Sequence, residues 1–244
     1  MADTESRHWW FTGRRRILAS VIESLRLPDN ARILEIGSGT GGNLKMLSRF
    51  GKVSSVEMDE TARAIAAEKT GGVFDIRDGI CPTDMPFKAD EKFDLVCLFD
   101  VLEHIEDDLA ALSCLKELLA DDGRVLVTVP AYQWLWSAHD QFLHHKRRYS
   151  AQKLIAKLDK TGFSADKVSH FNTFLFPFAA GARLLDRLLG RASASGTSVP
   201  GSFVNSTLHT IFSFERFFLG WMSFPFGVSI IAHFHPRQGC IPDH

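Results

Sequence analysis

A glycine-rich turn between a short apolar strand and a helix is the feature that most restricts the folds open to this chain. The stretch EIGSGTGGN, residues 35–43, places four glycines directly after the apolar run ARILEI. Glycine allows positive φ and a close approach of backbone to a ligand, and the start of a helix offers unpaired N–H groups. The turn therefore predicts a ligand site at the end of a β-strand.

Strands and helices alternate on both sides of this turn. Apolar runs predict strands over residues 31–37, 52–59, 72–79, 93–101 and 123–130, and helical periodicity predicts helices over 13–26, 43–50, 60–69 and 107–123. Alternation of this kind is typical of a parallel sheet that is covered by helices on both faces. The predicted fold class is therefore α/β, with a Rossmann-like sheet.

The last third of the chain is built differently, because 12 of the 20 phenylalanines follow residue 170. Ser150 is the expected N-cap of a helix that Gly162 closes, residues 163–171 predict a sixth strand, and 227–234 predict a seventh. Two apolar helices are expected between these strands, near 174–190 and 205–222. The uncharged run 217–232 is too short for a membrane span, which needs about 20 apolar residues, and glycine and proline interrupt it.

Four segments follow from these patterns. Residues 1–29 form an N-terminal lid segment and helix, 30–171 a cofactor-binding core, 172–223 an apolar helical cap insertion, and 224–244 the final strand and tail. The stretch 191–202 is the expected linker.

Composition excludes several classes of protein. The net charge of −1 argues against a general nucleic-acid binder. The four cysteines are scattered, which favours buried thiols and a reducing cytoplasm, and the first residues lack the apolar core of a signal peptide. We therefore expect a cytoplasmic protein, with a peripheral position at the inner face of the membrane as the alternative.

The glycine turn alone fits two cofactors. The spacing Gly37-x-Gly39-x-x-Gly42 matches the dinucleotide fingerprint, with Glu57 where a ribose-binding acid is expected. The spacing Gly37-x-Gly39-x-Gly41 equally matches the loop that binds S-adenosylmethionine.

Four motifs in order favour the second cofactor. ILEIGSGTGG, VSSVEMD, DIRDG and FDLVCLFDVLEHIED, the last followed by LADDGRVLVTVP, resemble those of the class I S-adenosylmethionine-dependent methyltransferases, of a type 11/12-like bacterial family, over residues of about 30–132. The resemblance implies a seven-stranded, mostly parallel sheet and S-adenosyl-L-methionine as cofactor. It implies these cofactor-binding residues: Glu35, Gly37, Ser38, Gly39 and Gly41 in the first motif, Glu57 and Met58 in the second, Asp78, Gly79 and Ile80 at the adenine, and Phe99 and Asp100 at the methionine end.

The stretch HDQFLHHKRRYS, residues 139–150, follows the fifth strand at the edge where an acceptor should meet the cofactor. If it is helical, Asp140 and His144 share a face, so that an oriented His144, or His139, is a candidate general base. Arg147, Arg148, Tyr149 and Trp10 are candidate acceptor-binding residues. Alternatively, the two arginines pair with acids of the fold and Tyr149 packs in the core.

Two features near the N-terminus have less definite roles. Trp9, Trp10 and Phe11 precede the first helix and either cover the cofactor or anchor that helix to the core. The run Arg14–Arg16 is expected to be solvated.

A zinc site of His139, His144 and His145 is disfavoured, because adjacent histidines on a helix point apart, and no metal is predicted.

The chain is thus predicted to be an enzyme that transfers a methyl group to oxygen or nitrogen of a small-molecule or lipid-linked acceptor. A carbon acceptor is kept as an alternative. The apolar insertion could pack on itself, or it could face a membrane surface, a partner or a greasy substrate. Two other classes stay open: a non-catalytic S-adenosylmethionine-binding partner protein and a membrane-peripheral scaffold.

Overall fold

One seven-stranded sheet organises the computed structural model, which describes residues 2–188 and 199–237. The strands lie in the order β3-β2-β1-β4-β5-β7-β6, and only β7 runs antiparallel to its neighbours. Their bounds are β1 Arg32–Ile36, β2 Lys52–Glu57, β3 Asp75–Asp78, β4 Phe93–Phe99, β5 Leu119–Pro130, β6 Phe163–Phe171 and β7 Ser229–Pro236. The predicted α/β class and Rossmann-like, mostly parallel sheet are confirmed.

Helices cover both faces of this sheet. They are α1 Ala2–Arg7, α2 Trp9–Leu25, α3 Leu44–Leu47, α4 Glu60–Thr70, α5 Asp108–Leu118, α6 Ala138–Phe142, α7 Ala151–Lys160, α8 Phe176–Leu188, α9 Ser202–Phe214 and α10 Arg216–Leu219, with short 3₁₀ turns at Leu102–His104 and Gln133–Leu135. Most of the expected linker, and Cys240 in the tail, lie outside the described residues.

The core has two layers because successive strand residues point to opposite faces. Ile33 joins the layer beneath α2, together with Ile17 and Phe212. Its neighbour Leu34 joins the other layer, against Leu112 of α5 and Leu154 of α7. Both layers are therefore built from the same strands.

Several predicted boundaries were wrong, each because a tertiary contact decides the local structure. Trp9, Trp10 and Phe11 lie within α2 rather than before it, since the His8 side chain caps the helix by accepting from the Trp10 N–H. Helix α5 stops at Leu118, not at the predicted Gly123, because Leu119 already pairs with Phe93 of β4. These shifts do not change the order of elements.

The second apolar helix is divided into α9 and α10 at Glu215. The carboxylate of this residue is buried and accepts the backbone N–H groups of Asn172, Thr173 and Phe174. Burial raises the pKa of Glu215 to about 7, and these three hydrogen bonds oppose the rise. The side chain thereby ties the cap to the end of β6.

The seventh strand is confirmed, and it lies buried between β5 and β6. Within the described part of the chain, no helix is both long and apolar enough to cross a membrane. Because β5 and β6 are each antiparallel to β7, they run in the same direction. The carboxyl ends of β1, β2, β4, β5 and β6 therefore meet at one edge of the sheet, which is where ligands bind in open α/β sheets.

Candidate active site

The glycine turn lies at this carboxyl edge, between β1 and α3. Gly37, Gly39 and Gly41 adopt positive φ values of 72°, 53° and 75°. A Cβ on Gly37 would stand 2.6 Å from a methyl group of Val101, whereas a Cβ on Gly39 would meet nothing within 4 Å. Gly37 is thus required by packing, and Gly39 leaves open space beside its backbone for a ligand.

Glu57, at the end of β2, holds the turn from the neighbouring strand. One carboxylate oxygen accepts the Gly39 N–H at 2.7 Å, and the other accepts the Asp59 N–H at 3.0 Å. Each carboxylate oxygen has two lone pairs. The side chain can therefore also accept from a pair of ligand hydroxyls.

Glu35 lies beneath the turn and is fully buried. One of its carboxylate oxygens accepts from the Asn43 side chain at 2.7 Å, and the other has no partner among the described residues. Burial raises the pKa of Glu35 to about 8, against the opposing hydrogen bond from Asn43 and the charge of Arg14. One acceptor of this group is available for a ligand.

The predicted adenine-binding residues gather at the ends of β2 and β3. Met58 and Ile80 are apolar yet 64% and 45% exposed. Asp78, which lies opposite Glu57 in the register of β2 and β3, accepts from Arg63 at 2.7 Å. Gly79 leaves no room for a side chain, because its Cβ would stand 2.7 Å from the carbonyl oxygen of Asp84. Two exposed apolar side chains beside a carboxylate suit a flat heterocycle with an amino group.

Asp100 follows β4, after the buried Phe99, and faces the N-terminal helix. Its backbone has a φ of 56°, and one carboxylate oxygen accepts from the Thr128 hydroxyl at 3.0 Å. The other pairs with Arg14 of α2. The expectation that Arg14 is solvated was wrong: only 7% of it is exposed, since three consecutive arginines on a helix cannot all face solvent when one side of that helix is buried.

Helix α1 covers the glycine turn through Glu5. The Glu5 carboxylate accepts from the Thr40 hydroxyl at 2.6 Å and pairs with Lys69 at 3.2 Å. A Cβ on Gly42 would stand 2.8 Å from the same carboxylate. The sequence offered no signal for this contact, because a single glutamate far from the turn has no distinguishing pattern.

The predicted Asp140–His144 pair does not form. Helix α6 ends at Phe142, and His144 lies beyond it, exposed and with a φ of 57°. Asp140 is fully buried and accepts from the Nδ1 of His145 at 3.0 Å instead. His139 is half-buried, and its Nδ1 has no partner among the described residues. Burial lowers the pKa of His139, which keeps its imidazole neutral near pH 7.

The two arginines that were predicted to bind acceptor pair with acids of the fold. Arg148 donates to both carboxylate oxygens of Asp140, at 2.7 and 3.0 Å, and Arg147 pairs with Asp108 at 3.0 Å. Tyr149 is 2% exposed, and its hydroxyl donates to Asp108 at 2.7 Å. These contacts match the alternative interpretation, in which the two arginines pair with acids of the fold and Tyr149 packs in the core, because buried acids need cationic and hydroxyl partners.

Trp10 anchors α2 to the core. Its ring stacks on Phe212 of α9, with centroids 5.0 Å apart and planes 3° apart, and it also stacks on Phe171 at 6.1 Å. The second interpretation of the N-terminal aromatics therefore describes Trp10. Helices α9 and α10 pack on α2, so the cap is joined to the N-terminal helix.

An aromatic cluster that the sequence did not reveal lies beyond β5 and β6. Tyr132 stacks on His170 with ring centroids 5.2 Å apart and planes 11° apart. Trp134 and Phe176 flank Tyr132 at 5.8 Å each, and Phe226 lies 5.6 Å from Phe176. Tyr132 has a φ of 56°, a backbone conformation that a sequence does not announce. Tyr132 and Trp134 follow β5, His170 and Phe176 lie at or after the end of β6, and Phe226 precedes the antiparallel β7, so the cluster stands at the same edge as Asp100 and the glycine turn.

Comparison with known proteins adds an independent line of evidence. A family model described as a methyltransferase domain matches residues 10–168. An uncharacterized protein of Methanocaldococcus jannaschii is 31% identical over 66% of this chain and 78% of its own length. A ubiquinone biosynthesis O-methyltransferase of Dinoroseobacter shibae is 32% identical over 46% of this chain and 47% of its own length. The alignment with that relative thus spans about half of its length.

Solved structures agree on the fold. The YcgJ protein from Bacillus subtilis superposes with a TM-score of 0.59 over 91% of this chain and 99% of its own, at 15% identity.

Proposed function

The chain belongs to the methyltransferase domain family, and on that premise we propose that it methylates oxygen or nitrogen of an apolar, small-molecule or lipid-linked acceptor. It is an enzyme that depends on S-adenosylmethionine, which supplies an electrophilic methyl group when bound. Membership of this family favours S-adenosylmethionine over a dinucleotide as the ligand of the glycine turn. It also favours an enzyme over a non-catalytic partner protein or a scaffold. A carbon acceptor stays open as a variant of the same reaction.

Our proposal for cofactor binding follows the carboxyl edge of the sheet. The open backbone beside Gly39 and the acceptor lone pairs of Glu57 would hold the ribose, and Asp78 with Met58 and Ile80 would hold the adenine. Phe99 and Asp100, at the end of β4, would lie at the methionine end. Glu35 would support the turn from below by accepting from the Asn43 side chain, and its second carboxylate oxygen would accept from the cofactor.

The aromatic cluster Tyr132, Trp134, His170, Phe176 and Phe226 is the observation that carries the acceptor proposal. It stands at the same sheet edge as Asp100, and it presents a wall of rings from three different segments of the chain. Stacked and edge-on rings suit a flat or apolar acceptor. One relative is a ubiquinone biosynthesis O-methyltransferase, which supports an oxygen acceptor.

A hydroxyl or amine acceptor must lose a proton during methyl transfer. We propose His139 as the base, because its imidazole is half-buried, neutral and unpaired at Nδ1 among the described residues. His144, exposed on the loop, is the second candidate. Asp140 contributes by holding His145 and Arg148 rather than by orienting His144.

The exposed apolar residues of the cap support a lipid-linked acceptor that is reached at a membrane surface. On α8, α9, α10 and their flanks, several large side chains are at least half exposed: Phe178, Leu184, Leu185, Phe203, Val204, Phe217 and Trp221. Exposed aromatics of this number are typical of surfaces that contact lipid or an apolar partner. The alternative, in which the apolar insertion packs on itself, does not explain these exposed side chains, since α9 packs on α2 instead of on α8.

The test is methyl transfer from radiolabelled S-adenosylmethionine into cell extract that is then split into lipid and aqueous fractions. We expect label in the lipid fraction, and we expect Glu57→Ala to abolish it by weakening cofactor binding. Label confined to the aqueous fraction would refute the lipid-linked acceptor but not the reaction class. A parallel test uses anionic liposomes: the wild-type chain should co-sediment, and the double variant Phe178→Ser/Phe203→Ser should stay in the supernatant.

A further inference from the structure

Glu103 is a buried carboxylate that the cofactor and acceptor proposals do not use. It lies in the 3₁₀ turn after β4 and is fully buried. Neither carboxylate oxygen accepts a hydrogen bond from another of the described residues. A buried carboxylate without partners is costly, and a proton or a cation must satisfy it.

Two imidazoles stand at the same carboxylate. The Nε2 of His145 lies 3.9 Å from a carboxylate oxygen of Glu103. The rings of His104 and His145 meet edge to face, with centroids 4.7 Å apart. One donor atom from each of Glu103, His104 and His145 lies within 4.8 Å of the other two. The three residues come from two segments that are distant in the sequence.

His145 is held with one ring nitrogen directed at this cluster. Its Nδ1 lies 3.0 Å from Asp140, whose other contacts with Arg148 fix the carboxylate. A neutral imidazole that donates Nδ1–H to Asp140 carries its lone pair on Nε2, the atom that faces Glu103. A carboxylate that orients a histidine through its remote nitrogen is the usual outer partner of a metal-binding histidine.

We propose that Glu103, His104 and His145 bind one divalent transition-metal cation, with Zn²⁺ or Co²⁺ as the suited ions. Bonds from such an ion to nitrogen and oxygen are about 2.0–2.2 Å long and meet at tetrahedral angles, so two bound ligand atoms stand roughly 3.4 Å apart. The 3.9 Å gap between His145 and Glu103 accommodates an ion of this kind. Two imidazoles and one carboxylate favour zinc-like ions over Mg²⁺ or Ca²⁺, which prefer oxygen ligands.

The proposed ion would leave coordination positions free. Among the described residues three protein ligands converge on it, and His104 is exposed, so a water or an acceptor oxygen can complete the site. Glu103 lies in the 3₁₀ turn that follows β4, so the ion would lie at the carboxyl edge of the sheet, the edge at which the acceptor is proposed to bind. A role in acceptor binding rests on the proposed function, whereas binding of the ion itself does not.

The experiment measures Co²⁺ and Zn²⁺ binding to the chelator-treated full chain, by Co²⁺ absorption and by titration calorimetry. We expect one saturable ion per chain and at least a tenfold loss of affinity in both Glu103→Gln and His104→Ala. His235→Ala is the matched control, because His235 on β7 is a partly exposed histidine that pairs with Asp166 of β6. The affinity of this variant for the ion should equal that of the wild type. No saturable binding to the wild type, or variant affinities within twofold of it, would overturn the proposal.

These variants separate metal binding from folding and from the reaction. Glu103→Gln removes a buried charge at nearly constant volume, and His104→Ala truncates an exposed side chain, so both should unfold at or above the wild-type temperature without metal. Added Zn²⁺ should raise the unfolding temperature of the wild type and of His235→Ala but not of Glu103→Gln. S-adenosylmethionine binding is measured on the same samples. Intact cofactor binding without metal binding would refute this inference alone.

Discussion

Replacing Arg148 by methionine should destabilise the fold rather than weaken acceptor binding. The Arg148 side chain is 8% exposed and the Asp140 side chain is fully buried. Two hydrogen bonds join them, at 2.7 and 3.0 Å, and Arg148 also donates to the carbonyl oxygen of Ala131 at 3.1 Å. Methionine has a similar length and no charge, so the substitution removes the pair without opening a large cavity.

The expected loss in free energy of unfolding depends on the hydrogen bonds that Asp140 retains. Breaking a buried ion pair by removing one partner costs about 3–5 kcal/mol. Asp140 keeps the Ser137 N–H at 2.9 Å and His145 at 3.0 Å, which places the loss near the lower end. For a chain of this size, about 3 kcal/mol corresponds to a fall of roughly 6–12 °C in unfolding temperature.

Urea unfolding of four proteins tests this value: wild type, Arg148→Met, Asp140→Asn and the double variant. A coupling of at least about 1 kcal/mol between the two positions is expected, since they contact each other directly. Lys146→Met is the control, because Lys146 pairs with Glu106 at 3.3 Å while both side chains are at least half exposed. That variant should change stability by less than about 0.5 kcal/mol. If Arg148→Met is as stable as Lys146→Met and raises only the KM for acceptor, our reasoning is refuted.

Three further predictions concern buried charge, the glycine turn and the buried tyrosine. Burial raises the pKa of Glu35 to about 8, above its unfolded value of about 4.3, so the folded state binds this proton more tightly and wild-type stability should fall between about pH 4.5 and pH 8. Glu35→Gln should lessen that fall in urea unfolding without cofactor, and an equal fall would contradict the sign. Gly37→Ala should lose more stability and more cofactor affinity than Gly72→Ala, because both glycines have positive φ but only a Gly37 Cβ meets Val101; equal losses would count against packing at Gly37. Tyr149→Phe should cost about 1 kcal/mol in urea unfolding by leaving Asp108 without its hydroxyl donor, and an unchanged stability would contradict that role.

The order of elements and the position of the glycine turn could be predicted because they depend on local patterns. Alternation of apolar residues fixed the bounds of β6 to the residue, and the run after Gly227 was correctly predicted as a strand. The glycines after β1 predicted a turn with positive φ values, which three of these glycines adopt. Such features are written in neighbouring residues, so distant contacts do not change them.

Pairings between charged residues could not be predicted from spacing alone. Helical spacing placed Asp140 opposite His144, but the helix ends at Phe142 and the next turn brings His145 to Asp140 instead. A run of three arginines looked solvated until the packing of α2 turned Arg14 towards Asp100. The length of α6 thus decided the partner of Asp140, and the buried face of α2 decided the partner of Arg14. Tertiary packing sets both the length and the face of a helix.

The sequence by itself thus determined the class of fold, the family and the position of the glycine turn at the carboxyl edge of the sheet, because glycine conformations and strand periodicity are local properties. Only the tertiary structure decided what HDQFLHHKRRYS does. Its arginines and Asp140 are held inside the fold, and His145 faces Glu103 and His104 across a gap suited to an ion. The physical reason is that a buried charge must find its partner in space, and chain separation does not limit which partner it finds.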